Sequence, residues 1–400
     1  MCSHLETFLI EAIKADGPMS FETFMRHALY HPRWGYYAMP QQVGKRGDFC
    51  TSISVSPLYG SLWALQFEEL WQKMGQCAGF CIIEQGAHDG QFASDVLTFS
   101  RQHLPDFFAG SVYYLIEPNP LFREVQQARL HTAGFAQNTR WVESVDELRG
   151  WRGVFFSNEL VDSFPAHRMI FKKGEWFQDF VTRNSAGWKP EEPIFRQLFK
   201  WVHRKLKDEK LMDICSKLPY FPTDPFIFEL SLVARFWMKQ LCETIQEGVI
   251  ITGDYGFSSW LDRLQSHPSG TLRAYKDHTV SKDVLSHPGE NDITYHVDFE
   301  PLIEEAVQHG VQTICLDDQH HILTGLMHAF VQKIGPPDSK TAQSFQTLSH
   351  PSTMGTSFKY LIQGKGMPSL LSLHSLRYAR LLDQKHLPVT LRKKLHDQQL

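Results

Sequence analysis

The stretch Phe80-Cys81-Ile82-Ile83-Glu84-Gln85-Gly86-Ala87-His88-Asp89-Gly90 constrains this chain more than any other. A short apolar run ends in an acid, a glycine turn follows, and Gln91 to Arg101 reads as a helix. A second apolar run, Val112 to Ile116, ends in Glu117. A third, Val154 to Phe156, ends in Ser157-Asn158-Glu159-Leu160-Val161-Asp162. Short apolar runs alternating with helical patterns predict the buried strands of an open α/β sheet. Such sheets bind ligands outside the carboxyl ends of their strands, which is where these runs deliver polar groups.

The rest of the chain bounds the answer. Its 400 residues can bury a large core, and 42% apolar with 21% charged residues reads as globular. A formal charge of −4 predicts neither a nucleic-acid partner nor an anionic membrane surface. No apolar run approaches the roughly 18 residues of a membrane span. The N-terminus, Met1-Cys2-Ser3-His4-Leu5-Glu6, shows no secretory or mitochondrial leader pattern. Seven cysteines without CxxC pairs fit reduced thiols, so a cytoplasmic location is expected. The 20 histidines are scattered without an HExxH, and no metal site is expected.

Leu5, Phe8, Leu9, Ala12 and Ile13 share one helical face, ended by Gly17-Pro18. Ser20 can cap a second helix, which His31-Pro32 stops. Residues 33–57 have no period, and a loop of that length is usually functional or mobile. A helix is expected from about Leu58 to Met74. Strands are expected near 80–85, 112–117, 140–143 and 153–157, again at 249–256, and later at 311–316 and 358–363. Arg168 to Lys172, Glu175 to Arg183 and Trp188 to Glu191 read as further strands joined by turns. Residues 193–246 read as two helices broken by Pro219-Tyr220-Phe221-Pro222. The expected division is a helical segment with an active-site loop (1–75), a core (76–165 plus 247–365), an inserted cap (166–246) and a charged helical tail (366–400).

The strand ends suggest chemistry. Glycine at Gly86 and Gly90 lets backbone approach a ligand with φ > 0, and the N–H groups of the next helix face that ligand. Glu117 can accept hydrogen bonds from ribose hydroxyls. Glu84 before the glycines and Glu117 on the next strand point to a nucleoside cofactor, S-adenosylmethionine (SAM) rather than NAD. A dinucleotide site would need G-x-G-x-x-G with its acid about 20 residues on. Here Ala87 and His88 follow Gly86, and Glu117 lies 27 residues after Gly90. Asn158, Glu159 and Asp162 leave the fourth strand together, where carboxylates could hold a guanidinium and withdraw its proton. Asp254, in Asp254-Tyr255-Gly256, adds an acid at the fifth strand end. Each of these also has a structural reading, as a turn or a cap.

The chain resembles the MidA family of SAM-dependent methyltransferases over roughly residues 17–365. The resemblance is carried by Gly47-Asp48-Phe49-x-Thr51-Ser52, Glu84-x-Gly86, Asn158-Glu159-x-x-Asp162-x-x-Pro165 and Asp254-Tyr255-Gly256. It continues through Gly270-Thr271-Leu272-Arg273-Ala274-Tyr275-x-x-His278, Asp292-Ile293-Thr294-Tyr295-His296-Val297-Asp298-Phe299 and Gly355-x-x-Phe358-Lys359. It implies a class I, Rossmann-like methyltransferase sheet with an N-terminal helical segment and an inserted cap subdomain. It implies that Glu84, Gly86, His88, Gly90 and Glu117 lie along SAM, with Asp48, Thr51 and Ser52 close by. Asn158, Glu159, Asp162 and Asp254 are then the candidate catalytic residues. It further implies a protein acceptor, with an arginine on a respiratory complex I subunit as the candidate, and makes a homodimer reasonable.

The sequence departs from the family pattern at three places. His88 stands where a further glycine is usual, Thr51-Ser52-Ile53-Ser54 lacks an acid, and Asp318-Gln319 replaces a Thr-Gln pair. These motivate a second reading, a methyltransferase-fold assembly or binding factor without chemistry.

Overall fold

The computed structural model describes residues 2–38, 51–184, 198–218, 223–257, 259–276, 279–367 and 372–380. Asp48, the expected strand Trp188 to Glu191 and most of the expected C-terminal tail lie outside the described residues. The chain forms two compact units, one of residues 1–49, 162–234 and 260–296, the other of 50–161, 235–259 and 297–400.

The second unit holds the α/β sheet. Its strands are β1 (Phe80–Gln85), β2 (Ser111–Ile116), β3 (Thr139–Val142), β4 (Trp151–Asn158), β5 (Ile245–Phe257), β6 (Gln312–Asp318) and β7 (Phe358–Lys365). Their order across the sheet is β3-β2-β1-β4-β5-β7-β6. The first five run parallel, and β7 runs antiparallel to both neighbours. The short strand Val297–Asp298 extends the carboxyl end of β5. The order reverses beside β1 and β4, so this end of the sheet opens a crevice between them. Helices α1 (Leu58–Lys73), α2 (Gln91–His103), α3 (Pro120–Thr132) and α4 (Gln319–Ile334) matter for the site. Trp63 and Phe67 of α1 pack on Phe92 and Phe156 in the main core, and each of these rings is essentially buried.

The first unit is built differently. Helices His4–Asp16 and Phe21–Tyr30 start where expected, the first at a Ser3/Glu6 capping box and the second at Ser20. Strands His167–Lys172 and Glu175–Arg183 pair antiparallel as the turn at Lys173-Gly174 predicts. The two helices expected over 193–246 are replaced by strand Phe199–Lys205, helix Glu209–Ser216, strand Phe226–Leu230 and helix Leu232–Thr244. Phe199-Lys200-Trp201-Val202-His203 places its aromatics at period two, and pairing along Glu175–Arg183 outweighs a helical reading. Among the described residues no helix is long and apolar enough to cross a membrane.

Candidate active site

The turn after β1 carries three left-handed residues, Gly86 (φ +83°), His88 (φ +47°) and Gly90 (φ +80°). A Cβ at Gly86 would lie 3.3 Å from Leu160 Cδ1 as well as forcing φ > 0 on an L side chain. His88 takes the glycine-like conformation without being glycine, at a cost of roughly 1–2 kcal/mol. Its ring stays half-exposed, so its bulk points away from the core. Gly90 is the N-cap of α2, and its N–H bonds to the Ala87 carbonyl at 2.7 Å.

Glu84 is buried at the end of β1, where the Tyr113 hydroxyl donates to its Oε2 at 2.7 Å. Burial pushes its carboxyl up to about 8, against the lowering effect of the Tyr113 bond. Glu117 follows β2, half-buried. Its Oε1 accepts the Asn119 N–H at 2.9 Å and its Oε2 accepts Gln126 Nε2 at 3.0 Å. Burial raises its pKa as well, and those donors oppose the shift.

At the carboxyl end of β4, Glu159 is also left-handed, with φ +53°. Its N–H bonds to the Gly253 carbonyl at 2.9 Å, and its Oε1 accepts the Asn158 amide at 2.9 Å. The Asn158 amide is oriented by tyrosines. Tyr59 donates to its Oδ1 at 2.7 Å, Tyr360 donates to the Tyr59 oxygen, and the Tyr360 hydroxyl oxygen lies 3.3 Å from the same Oδ1. The carboxylate of Glu159 can only accept, so the Nδ2 end faces it. Gly253 makes this possible. It pairs with Asn158 on one side and Tyr360 on the other, and a Cβ there would lie 2.4 Å from Tyr360 Cε1. The tyrosine ring therefore reaches over the glycine of the middle strand to the asparagine of the third.

The same network runs on to the loop ahead of α1. The Tyr360 hydroxyl lies 3.2 Å from Gln319 Oε1, Ser52 donates to the same oxygen at 3.0 Å, and Gln319 Nε2 holds the Leu348 carbonyl at 2.8 Å. Ser52 is thus linked to Glu159 through three buried side chains, Gln319, Tyr360 and Asn158. Thr51 instead caps the short helix Ser52–Val55. Asp254 is fully buried on β5, and its Oδ2 accepts the N–H groups of Leu160 (3.2 Å) and Val161 (2.8 Å). It fixes the turn that follows Glu159. Asp162 belongs to the first unit, where it is buried, and its carbonyl accepts the Tyr295 N–H at 3.1 Å. Beside it, the Tyr30 hydroxyl bonds to Ser163 Oγ at 2.8 Å and Tyr37 donates to Asp292 Oδ1 at 2.8 Å. Burial pushes both phenols up, with the charges of Asp292 and Asp162 adding to the shift.

Tyr59, Tyr113, Tyr360 and Gln126 were not anticipated from sequence. Gln126 did carry a signal, a polar residue centred on the buried stripe Phe122, Gln126, Leu130 of α3. The tyrosines carried none, being ordinary residues of core patterns. One described acidic group, Asp317, Asp318 and His321, has metal-ligand spacing. Arg380 bonds to both of its acids and Lys359 pairs with Asp318, so cations already neutralise it.

A sequence model of the family described as "Putative S-adenosyl-L-methionine-dependent methyltransferase" matches residues 62–316. The chain belongs to this family. It is a SAM-dependent methyltransferase. It is 26% identical over 388 residues to the protein arginine methyltransferase NDUFAF7 of Danio rerio, named mitochondrial, covering 88% of this chain and 85% of the relative. It is 24% identical over 398 residues to the NDUFAF7 homolog of Drosophila melanogaster, also named mitochondrial, covering 92% and 85%. A Burkholderia thailandensis protein solved with S-adenosyl-homocysteine (SAH) has the same fold, with TM-score 0.80 and 24% identity over 94% of this chain and 95% of that one.

Proposed function

We propose that this methyltransferase methylates arginine on a protein, with Glu159 as the residue that orients the acceptor nitrogen and takes its proton. The observation that carries this is the left-handed Glu159, aimed by the Asn158 amide and by its own N–H on Gly253, at the strand end beside the cofactor turn. Strain of this kind persists where surrounding structure over-determines it, commonly at functional sites.

The described residues fit SAM: Gly86 leaves backbone room, and Glu117 offers a fixed, half-buried carboxylate for ribose hydroxyls. Gly86, His88, Gly90 and Glu117 would hold it, with Glu84 beneath them, and the bound group supplies an electrophilic methyl. Glu159 would orient the acceptor nitrogen toward that methyl group and would take the proton that the nitrogen loses as it is methylated, the demethylated cofactor being the leaving group. Asp162 stays a candidate catalytic residue on the family resemblance; within its own unit it lies with Asp292 and the phenols of Tyr30 and Tyr37. Asp254 and Asn158 are positioning residues for Glu159, and Ser52 acts through the tyrosine network. Asp48, outside the described residues, and Thr51 are assigned to cofactor binding on the family resemblance alone.

The finer architecture is part of this reading: a class I, Rossmann-like core over 76–165 and 247–365, an N-terminal helical segment over 1–75, an inserted cap subdomain over 166–246 and a tail over 366–400. A respiratory complex I subunit as acceptor and a homodimeric assembly rest on the family resemblance. A reducing compartment, the cytoplasm, is supported by the six cysteines among the described residues, all free, of which Cys215, Cys242 and Cys315 are pushed up to about 12 by burial.

The test is a lysate of cells lacking this protein, incubated with the purified protein and deuteromethyl-SAM and read by peptide mass spectrometry. Labelled methylarginine on a defined protein is the expected result. Label on another residue type overturns the arginine assignment, and no label favours the assembly-factor reading. Light scattering of the same preparation settles the dimer.

A further inference from the structure

We infer that Gln126 is a positioning residue of the cofactor cradle, a side chain that bridges the His88 carbonyl and the Glu117 carboxylate and holds them in fixed relation for a ribose. The inference rests on the reading of Glu117 as the ribose ligand.

Gln126 lies on α3 with no exposed surface, between the buried Phe122 and Leu130. Every part of its amide is engaged. Trp141 Nε1, which can only donate, bonds to Oε1 at 2.9 Å, so the amide orientation is settled. The two Nε2 hydrogens then face two acceptors, the His88 carbonyl at 3.0 Å and Glu117 Oε2 at 3.0 Å. One acceptor belongs to the turn after β1, the other to the acid after β2.

Both partners need holding. His88 is left-handed without being glycine, and its carbonyl direction is set by that conformation. Glu117 is otherwise fixed by the Asn119 N–H on Oε1 alone among its described side-chain bonds. Two of roughly four acceptor positions are thereby occupied, and the remaining ones are aimed for two hydroxyls. Helix α3 lies beside the turn, with Gln126 Cα 3.5 Å from where a Cβ on Gly90 would sit, an ordinary contact distance. Gln126 acts through Glu117 and His88.

The test is calorimetric titration of the full chain with SAH and with the SAH analogue lacking both ribose hydroxyls. The wild type is expected to prefer SAH by at least about 10-fold, as hydrogen bonds to a charged group imply. In Gln126→Leu this preference is expected to fall to within about 3-fold, with affinity for the analogue nearly unchanged. Preference retained in the variant, or equal weakening of both ligands, overturns the inference and leaves Glu117 in place. A wild type without preference removes the Glu117 reading and the inference together. Trp141→Phe removes only the donor to Oε1 and covers the case in which Gln126→Leu does not fold. It should reduce the preference about 3-fold or more, and an unchanged preference would count against Gln126.

Discussion

The Tyr113 hydroxyl donates to Glu84 Oε2 at 2.7 Å across two adjacent parallel strands, with both side chains buried. Glu84 therefore keeps its proton in the folded chain up to about pH 8, against 4.5 as its ordinary value. The folded state holds one more proton than the unfolded state between those values. This contribution to stability is present below about pH 4.5 and is lost as pH rises through 8, at up to roughly 1.4 kcal/mol per unit. Glu84→Gln removes the titration and keeps an acceptor for Tyr113. Urea unfolding at pH 5 and pH 8 should give a smaller difference in the variant than in the wild type, and an equal difference would contradict the assignment.

The reach of Tyr360 over Gly253 predicts a steric effect. Gly253→Ala places a methyl 2.4 Å from the ring, with little room to relax between paired strands. A loss of about 1–3 kcal/mol is expected in denaturant unfolding. Tyr360→Phe keeps the ring and loses only the hydroxyl, so its loss should be smaller. Equal losses would mean that packing over Gly253 is not what the glycine serves.

At His88 the backbone, rather than the imidazole, is what the turn uses. His88→Gly relieves the left-handed strain and adds unfolded-state entropy, and these offset to within about 1 kcal/mol. His88→Val is expected to lose roughly 1–2 kcal/mol and to weaken SAH binding, because a β-branched residue resists φ near +47°. Thermal unfolding with and without SAH measures both, and a valine variant equal to wild type would refute the strained turn.

Glu159→Gln keeps the size and the left-handed backbone but removes the base. Methyl transfer to the acceptor found by labelling should fall about 100-fold, while SAH affinity stays within about 3-fold. If SAH affinity falls in parallel with turnover, Glu159 belongs to cofactor binding and the proposed role is wrong.

The sheet and the glycine turn after β1 were legible because they rest on local signals: apolar runs, acids at their ends and glycines between. Asn158 and Glu159 were found for the same reason. Asp254 was legible as a buried acid at a strand end, but its bonds to Leu160 and Val161 depend on β4 and β5 lying side by side, which one strand cannot announce. Tyr59 and Tyr360 lie about 300 residues apart in sequence and converge only through the antiparallel β7. The strands at Phe199–Lys205 and Phe226–Leu230 were mistaken for helix because short apolar segments fit both periods until a pairing partner decides.

The central claim, SAM held on the turn after β1, is tested most directly by titrating the wild type and Gly86→Val with SAH in a calorimeter. The account predicts micromolar binding by the wild type and none by the variant, since valine would need φ near +83° and would meet Leu160. Equal binding by both proteins would place the cofactor elsewhere and contradict the account.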